Sequence, residues 1–247
     1  MSDDDFGMPC PGAIVVQAEW TQPRLDRLPT QGPFEFEKLF GRPGPVVLDL
    51  GCGNGRFLVA AALARPEANF LGVDTVPVVV RHAVERVRRR GLAHVKLAVA
   101  DAREVVSRLL PPGSVHEMHF YHPQPYFDLA YVHRRLFTAA FMAQAVAALA
   151  PGGLFIVQTD NPGYWNYLNE LIPLFLDWQP LAGPWPDAPA GRTRREILAR
   201  QQGLAIYRGL GTLPATLDLP TAIRRAEALP PPVFSADRRL RELERQA

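Results

Sequence analysis

The run Val46-Val-Leu-Asp-Leu-Gly-Cys-Gly-Asn-Gly55 constrains this chain more than any other stretch. An apolar run containing one acid gives way to glycines at every second position. The run predicts a buried parallel strand over residues 46–50, and the glycines predict a turn that opens a helix over residues 56–63. Glycine takes positive φ without strain and lets a ligand approach the backbone closely. A strand, a glycine turn and a helix N-terminus form a nucleotide-sized pocket in doubly wound α/β proteins.

The spacing argues against a dinucleotide. NAD and FAD sites require G-x-G-x-x-G, with the third glycine packing helix on strand. Here the order is Gly51-Cys52-Gly53-Asn54-Gly55, and Asp49 precedes the first glycine. A carboxylate at that point would repel a diphosphate. It suits S-adenosylmethionine, which carries a sulfonium and an ammonium. Asn69-Phe-Leu-Gly-Val-Asp74 is a second apolar run ending in an acid. It lies ~20 residues after the turn, where a ribose-binding carboxylate belongs. A third run, His94-Val-Lys-Leu-Ala-Val-Ala, ends at Asp101-Ala102, which would lie beside an adenine amine. One strand-end Asp is usually a cap or turn residue. Three at successive βα junctions would line one edge of the sheet, where ligands bind. The expected cofactor residues are therefore Asp49, Gly51, Gly53, Asp74, Asp101 and Ala102.

Composition is that of an ordinary globular chain, 47% hydrophobic and 21% charged over 247 residues. A net charge of +2 announces no global polycation. Of the 27 basic residues only Lys38 and Lys96 are lysine. Arginine suits phosphate and base stacking better than lysine does. It clusters at Arg86-Val-Arg-Arg-Arg90, His133-Arg-Arg135 and Arg192-Thr-Arg-Arg195. The first cluster reads as the solvated face and C-terminus of a helix, where cations are favoured. Cys10 and Cys52 have neither metal-ligand spacing nor a disulfide framework, so no metal is expected. No stretch approaches the ~18 apolar residues of a membrane span. The acidic start is not a signal peptide, so a soluble, cytoplasmic setting is expected.

Residues 1–44 read as a loose leader with a helix near 34–39. Residues 45–210 read as one domain of alternating strands and helices, with strands over 70–73, 95–100, 115–121 and 153–159. Helices are expected over 76–89, 134–149, 163–175 and 194–201. Pro151-Gly-Gly153 reads as a stop and turn, and residues 204–208 as the closing element. Residues 211–247 read as a tail ending in a charged helix over 235–246.

Four landmarks narrow the function. They are His122-Pro-Gln-Pro-Tyr126, Arg134-Arg-Leu136, Thr159-Asp160 with Tyr164 four residues on, and Thr193-Arg-Arg-Glu196. Their order and spacing, from Val46 to Tyr207, resembles the tRNA (guanine-N7-)-methyltransferase family. That family carries Phe-Pro-Asp-Pro-Trp-Pro-Lys, His-x-Lys-Arg-Arg, Thr-Asp with Tyr, and Thr-x-Phe/Tyr-Glu. The resemblance implies a Rossmann-like class I S-adenosylmethionine-dependent methyltransferase fold and methyl transfer to N7 of a variable-loop guanosine in tRNA. It puts the catalytic position on Gln124, where the family has Asp. It puts substrate binding on Asp128, Asp160, Thr193, Glu196, Arg134 and Arg135. Asp128 stands for the family's Lys, and Arg195 for its Phe/Tyr. Taken alone, Asp160 could instead be a helix cap and Glu196 an exposed helix acid. The expected partner is tRNA, with no membrane and a monomeric chain. The alternatives are a methyltransferase drifted to another substrate and a non-catalytic homologue that binds tRNA or cofactor.

Overall fold

The computed structural model describes residues 3–126, 129–230, 232 and 238–246. Seven strands form the central sheet: β1 (Val46–Leu50), β2 (Asn69–Asp74), β3 (Val95–Val99), β4 (Val115–Tyr121), β5 (Leu149–Thr159), β6 (Asp177–Leu181) and β7 (Tyr207–Thr212). Their order across the sheet is β3-β2-β1-β4-β5-β7-β6. The first five run parallel, while β7 is antiparallel to both β5 and β6. Every residue of β1 is buried, as a central parallel strand covered on both faces requires. The chain leaves β1 toward β2 on one side, and β4 lies on the other. This switch point opens a crevice at the C-terminal ends of the strands, where doubly wound sheets bind ligands.

Besides the short helical turns Ala102–Glu104, capped by Asp101, and Val105–Leu109, the main helices are α1 (Phe36–Phe40), α2 (Arg56–Ala64), α3 (Pro77–Arg88), α4 (Ala139–Ala148), α5 (Pro162–Leu171), α6 (Arg194–Gln201), α7 (Leu219–Glu227) and α8 (Arg238–Gln246). One core cluster includes Leu48, Met118, Phe120, Phe155, Met142 and Leu168, and Ala222 and Ala226 of α7 join it. A second gathers Val47, Leu58, Phe70, Val80, Val87 and Leu97 under α2 and α3. The α/β class and the glycine turn between β1 and α2 match the reading of the sequence.

Several boundaries differ from expectation. The helix expected over 134–149 begins only at Ala139. Thr138 is extended there, and its side chain accepts the Phe141 amide, which caps α4. Residues Leu129–Arg134 form a separate 3-10 turn. Pro151-Gly-Gly153 is not a stop, because β5 runs through it from Leu149, with Gly152 at φ 75° and a register shift against β4. The helix expected to reach 175 ends at Leu171, and Pro173 lies in a short 3-10 turn. Both antiparallel strands, β6 and β7, escaped the sequence reading. The edge strand β6 alternates poorly and contains Pro180, which edge strands tolerate.

The leader is not loose. The Leu25 amide donates to Leu97 O and the Leu97 amide to Pro23 O, which covers the exposed edge of β3. Strands Asp4–Asp5 and Met8–Pro9 form a small antiparallel ribbon. The Arg86–Arg90 cluster is not a solvated face either, since Arg86 and Arg90 are buried. Among the described residues no helix is long and apolar enough to cross a membrane.

Candidate active site

A cavity of about 710 Å³ opens at the C-terminal edge of the parallel strands. Its walls include Asp49, Gly51, Gly53, Asp74, Asp101, Ala102, Gln124, Arg134 and Thr193. Nine residues singled out from the sequence thus meet at one place.

The first end of the cavity is built around the glycine turn. Gly51 and Gly53 sit at φ 96° and 51°, with open space where a Cβ would stand. Backbone conformation, not crowding, demands glycine there. The Gly53 amide donates to Asp74 Oδ2 at 3.0 Å, and the Val76 amide to Asp74 Oδ1 at 2.9 Å. Asp49 is only 1% exposed, and its Oδ1 has no hydrogen-bond partner. Burial, and then the charge of Asp74, pushes the Asp49 carboxyl well above the usual carboxylate range. Asp101 accepts from the Arg103 amide at 2.8 Å and from its guanidinium at 3.1 Å. Burial alone would raise its carboxyl, but these bonds outweigh it and hold it low.

The second end is formed by the loop after β4 and the approach to α6. His122 and Tyr126 both adopt left-handed backbone, at φ 53° and 44°. Such conformations in non-glycine residues persist only where the surroundings impose them. Arg135 supplies much of that constraint, donating to Pro125 O (2.7 Å), Tyr126 O (3.0 Å) and Pro232 O (3.0 Å). Arg135 is therefore buried loop support, whereas the expected role was substrate binding. Arg134, by contrast, is exposed and lies 4.8 Å from the Tyr131 ring centroid. Gln124 is exposed on the cavity wall. Asp128 lies outside the described residues.

Asp160 and Glu196 do not line the cavity. Asp160 is held by Arg195, Nε to Oδ2 at 2.8 Å and Nη2 to Oδ1 at 3.2 Å. His122 Nδ1 faces the same carboxylate at 3.4 Å, too poorly aligned for a hydrogen bond. Burial would raise Asp160, but His122 and Arg195 hold it far below the usual range. The cap of α5 is Asn161, whose side chain accepts the Tyr164 amide at 2.9 Å. Glu196 is fully buried. Its Oε2 accepts from the Arg192 amide (2.9 Å) and Gln158 (3.1 Å), and its Oε1 from Arg200 (3.2 Å) and Arg208 (3.0 Å). Thr193 accepts the Glu196 amide at 3.1 Å, while Glu196 reaches back past it. The pair is close to a capping box, so the Thr-x-x-Glu spacing is satisfied structurally. The substrate-reading roles expected of Asp160 and Glu196 find no open acceptor here.

Gln158 ties the two carboxylates together. Its Oε1 accepts from Trp185 (2.6 Å) and Arg208 (3.2 Å), which fixes its amide toward Glu196 and His122. His122 Nε2 must then accept, leaving the proton on Nδ1 opposite Asp160. A second chain runs along one face of β4. It links Arg65 to Glu117 (2.5 Å), Glu117 to His119 (2.9 Å), His119 to Tyr121 (3.0 Å) and Tyr121 to Arg192 (2.9 Å). Arg192 also lies 3.9 Å from the Trp185 ring centroid. Both chains converge on the segment that carries Thr193.

A family model described as a putative methyltransferase matches residues 43–203. A tRNA (guanine-N(7)-)-methyltransferase of Alkalilimnicola ehrlichii is 31% identical over 190 residues, covering 77% of this chain and 80% of the relative. That of Saccharophagus degradans is 31% identical over 179 residues, covering 72% and 78%.

The chain belongs to the tRNA (guanine-N7-)-methyltransferase family.

The 16S rRNA methyltransferase KamB shares the fold of this methyltransferase at 18% identity, with a TM-score of 0.52, covering 76% of this chain and 96% of KamB. The cofactor is S-adenosyl-L-methionine. The first end of the cavity fits it, since the unpartnered Asp49 Oδ1 and the open glycine turn offer a cationic ligand an acceptor and a close approach. Asp74 and Ala102 also line this end of the cavity.

Sequence reasoning missed four groups in the methyltransferase site. His122 and Arg195 line the cavity, and Trp185 and Gln158 lie beneath it. His122 belonged to a quoted motif, but nothing local ties it to Asp160. Beyond these four, residues 3–5 also line the cavity. Their only sequence signal was three consecutive aspartates opposite an arginine cluster far along the chain.

Proposed function

We propose that this chain transfers a methyl group to N7 of a guanosine in the variable loop of tRNA, in a cytoplasmic setting. The observation that carries this reading is the single cavity running from Asp49, Asp74 and Asp101 to Gln124, Arg134 and Thr193. When bound, S-adenosylmethionine supplies an electrophilic methyl on a sulfonium. Guanine N7 is a lone pair with no proton to remove, so no residue has to act as a base. The chain's task is positioning, and orientation alone can supply ~7–11 kcal/mol. Gln124 orients the purine by hydrogen bonds without bringing charge. Arg134, exposed at the rim, suits a phosphate. Arg195 and His122 present the wall behind which Asp160 is sequestered.

Incubating the protein with labelled S-adenosylmethionine and unmodified tRNA, then mapping the product, tests the reading. N7-methylguanosine is the expected product. A second reading is a methyltransferase acting on another substrate, favoured by Arg195 capturing Asp160. Cofactor binding without transfer to tRNA would put that second reading first.

A further inference from the structure

Asp5 is the most enclosed ion of the N-terminal segment, at 2% exposure. Its Oδ1 accepts from Asn54 Nδ2 (2.7 Å) and Arg86 Nη2 (3.1 Å). Its Oδ2 accepts from Arg56 Nη1 and Arg86 Nη1, both at 3.1 Å. Asn54 belongs to the glycine turn, Arg56 opens α2, and Arg86 lies in the last turn of α3. One carboxylate from the leader therefore joins the three pieces that shape the first end of the cavity. Asp3 repeats the pattern, accepting from Arg90 Nη2 at 2.6 Å. Arg90 also donates to Pro11 O (2.5 Å) and Cys10 O (3.2 Å), and Arg56 to Met8 O (3.1 Å). Three buried guanidinium groups thus hold residues 3–11 down by side chain and backbone together.

The next residue reaches the opposite end. Phe6 is forced to φ 54°, one of three non-glycine residues with positive φ among those described, the other two being His122 and Tyr126 in the cavity wall. The Arg194 guanidinium lies 4.4 Å from the Phe6 ring centroid, and Gln201 donates to Phe6 O at 3.3 Å. The leader thus touches α2 and α3 on one side and α6 on the other, and Asp3, Asp4 and Asp5 line the cavity between them.

We propose that residues 3–6 are part of the cofactor site, with Asp5 a positioning residue that sets the glycine turn through Asn54, so that leader docking and cofactor binding are thermodynamically linked. The proposal rests on S-adenosylmethionine occupying the cavity. A ligand held by the turn stabilises the docked leader, and by reciprocity the docked leader tightens the ligand. The backbone bonds of the leader, such as the Cys10 amide to Asp3 O at 2.9 Å, report the docking directly.

The test uses the full chain and S-adenosylhomocysteine as probe. Amide exchange across residues 3–10 should slow when the probe binds, beyond the slowing seen in β6, which lies far from the cavity. Calorimetry on Asp5→Asn should show probe affinity reduced at least about fivefold, the lower range of coupling between linked sites. The KM for cofactor should rise while kcat at saturation stays near the parent value. Arg86→Lys, which keeps the charge but loses the fork that grips Asp5, should show the same split if Asp5→Asn folds poorly. A merely structural leader would lower the melting temperature and leave affinity, KM and exchange protection unchanged, and that result overturns the proposal. Loss of probe binding by the parent chain would remove the cofactor assignment as well, whereas binding with an indifferent leader removes this proposal alone.

Discussion

At the cofactor end of the cavity Asp49 is buried with an oxygen unpartnered, whereas at the substrate end Asp160 and Glu196 have their oxygens taken by arginines and amides. The first arrangement leaves charge for a cationic ligand to complete. The second completes its own charge and presents an outer layer that includes Gln124, Arg134, Thr193 and Arg195 to the cavity. Of these carboxylates only Asp49 lines the cavity, while Asp160 and Glu196 lie behind its wall and hold it in place.

The sharpest way to break this comparison is to remove Glu196. Glu196→Ala leaves Arg208 buried without its partner and unties the segment before α6. Breaking a buried ion pair from one side costs about 3–5 kcal/mol. Denaturant unfolding should show that loss, and cofactor affinity of the folded fraction should be nearly unchanged. A variant of parental stability that has lost only tRNA binding would mean that Glu196 reads substrate after all.

The cofactor end should respond in reverse. Asp49→Asn removes a carboxylate that burial and Asp74 both disfavour, so the free protein should gain stability at neutral pH. Cofactor affinity should fall, as it should for Asp74→Ala, by about 1.5–3 kcal/mol, the size of a hydrogen bond involving a charged group. Calorimetry and melting curves on the same preparations separate the two effects. If Asp49→Asn both destabilises the chain and spares the cofactor, the end is structural.

The asymmetry also explains what could be read from sequence. Asp49, Asp74 and Asp101 come from one continuous stretch, β1 to residue 102, each at or near the end of a parallel strand and each lining the cavity. Periodicity and glycine spacing report such local order. The substrate end joins β4, the Trp185 loop, α6 and β7, and its decisive contacts, Arg195 to Asp160 and Arg208 to Glu196, cross elements far apart in the chain. No local pattern distinguishes an acid that faces a ligand from one captured by an arginine. The strand β7, which delivers Arg208, was itself missed, because Tyr-Arg-Gly-Leu-Gly-Thr lacks the continuous apolar run of the parallel strands. Residues 3–5 read only as an acidic start for the same reason, since their partners Asn54, Arg56, Arg86 and Arg90 lie far along the chain.

A smaller effect is expected at the boundary between the ends. Gln124→Asp would place a carboxylate beside the purine, where positive charge develops during transfer. An interaction stronger in the transition state speeds only the chemical step. Single-turnover rates on tRNA should rise about tenfold, equivalent to ~1.4 kcal/mol of barrier, with cofactor affinity constant. An unchanged or lower rate, with both ligands bound, would mean that the loop has been rebuilt for another substrate.

The finest distinction between the ends lies in their response to protons. Burial and Asp74 raise the Asp49 carboxyl above its ordinary value of 3.8. A group raised in the folded state adds stability below its unfolded value and loses that contribution as pH climbs through the folded one. A cationic cofactor favours the ionised form and draws the value back down. Binding below the raised value therefore expels up to one proton, and cofactor affinity should climb with pH before levelling off. Glu117, at the foot of the chain that leads to Arg192, behaves oppositely. Burial would raise it, but hydrogen bonds from His119 and Arg65 outweigh burial and lower it from 4.5 to about 2. Its contribution is complete above pH 4.5 and fades as pH falls toward 2. Calorimetry in buffers of different ionisation enthalpy should show proton release on cofactor binding by the parent chain and none by Asp49→Asn. Equal release by both proteins would place the titrating group elsewhere and remove Asp49 as the acceptor waiting for the cofactor.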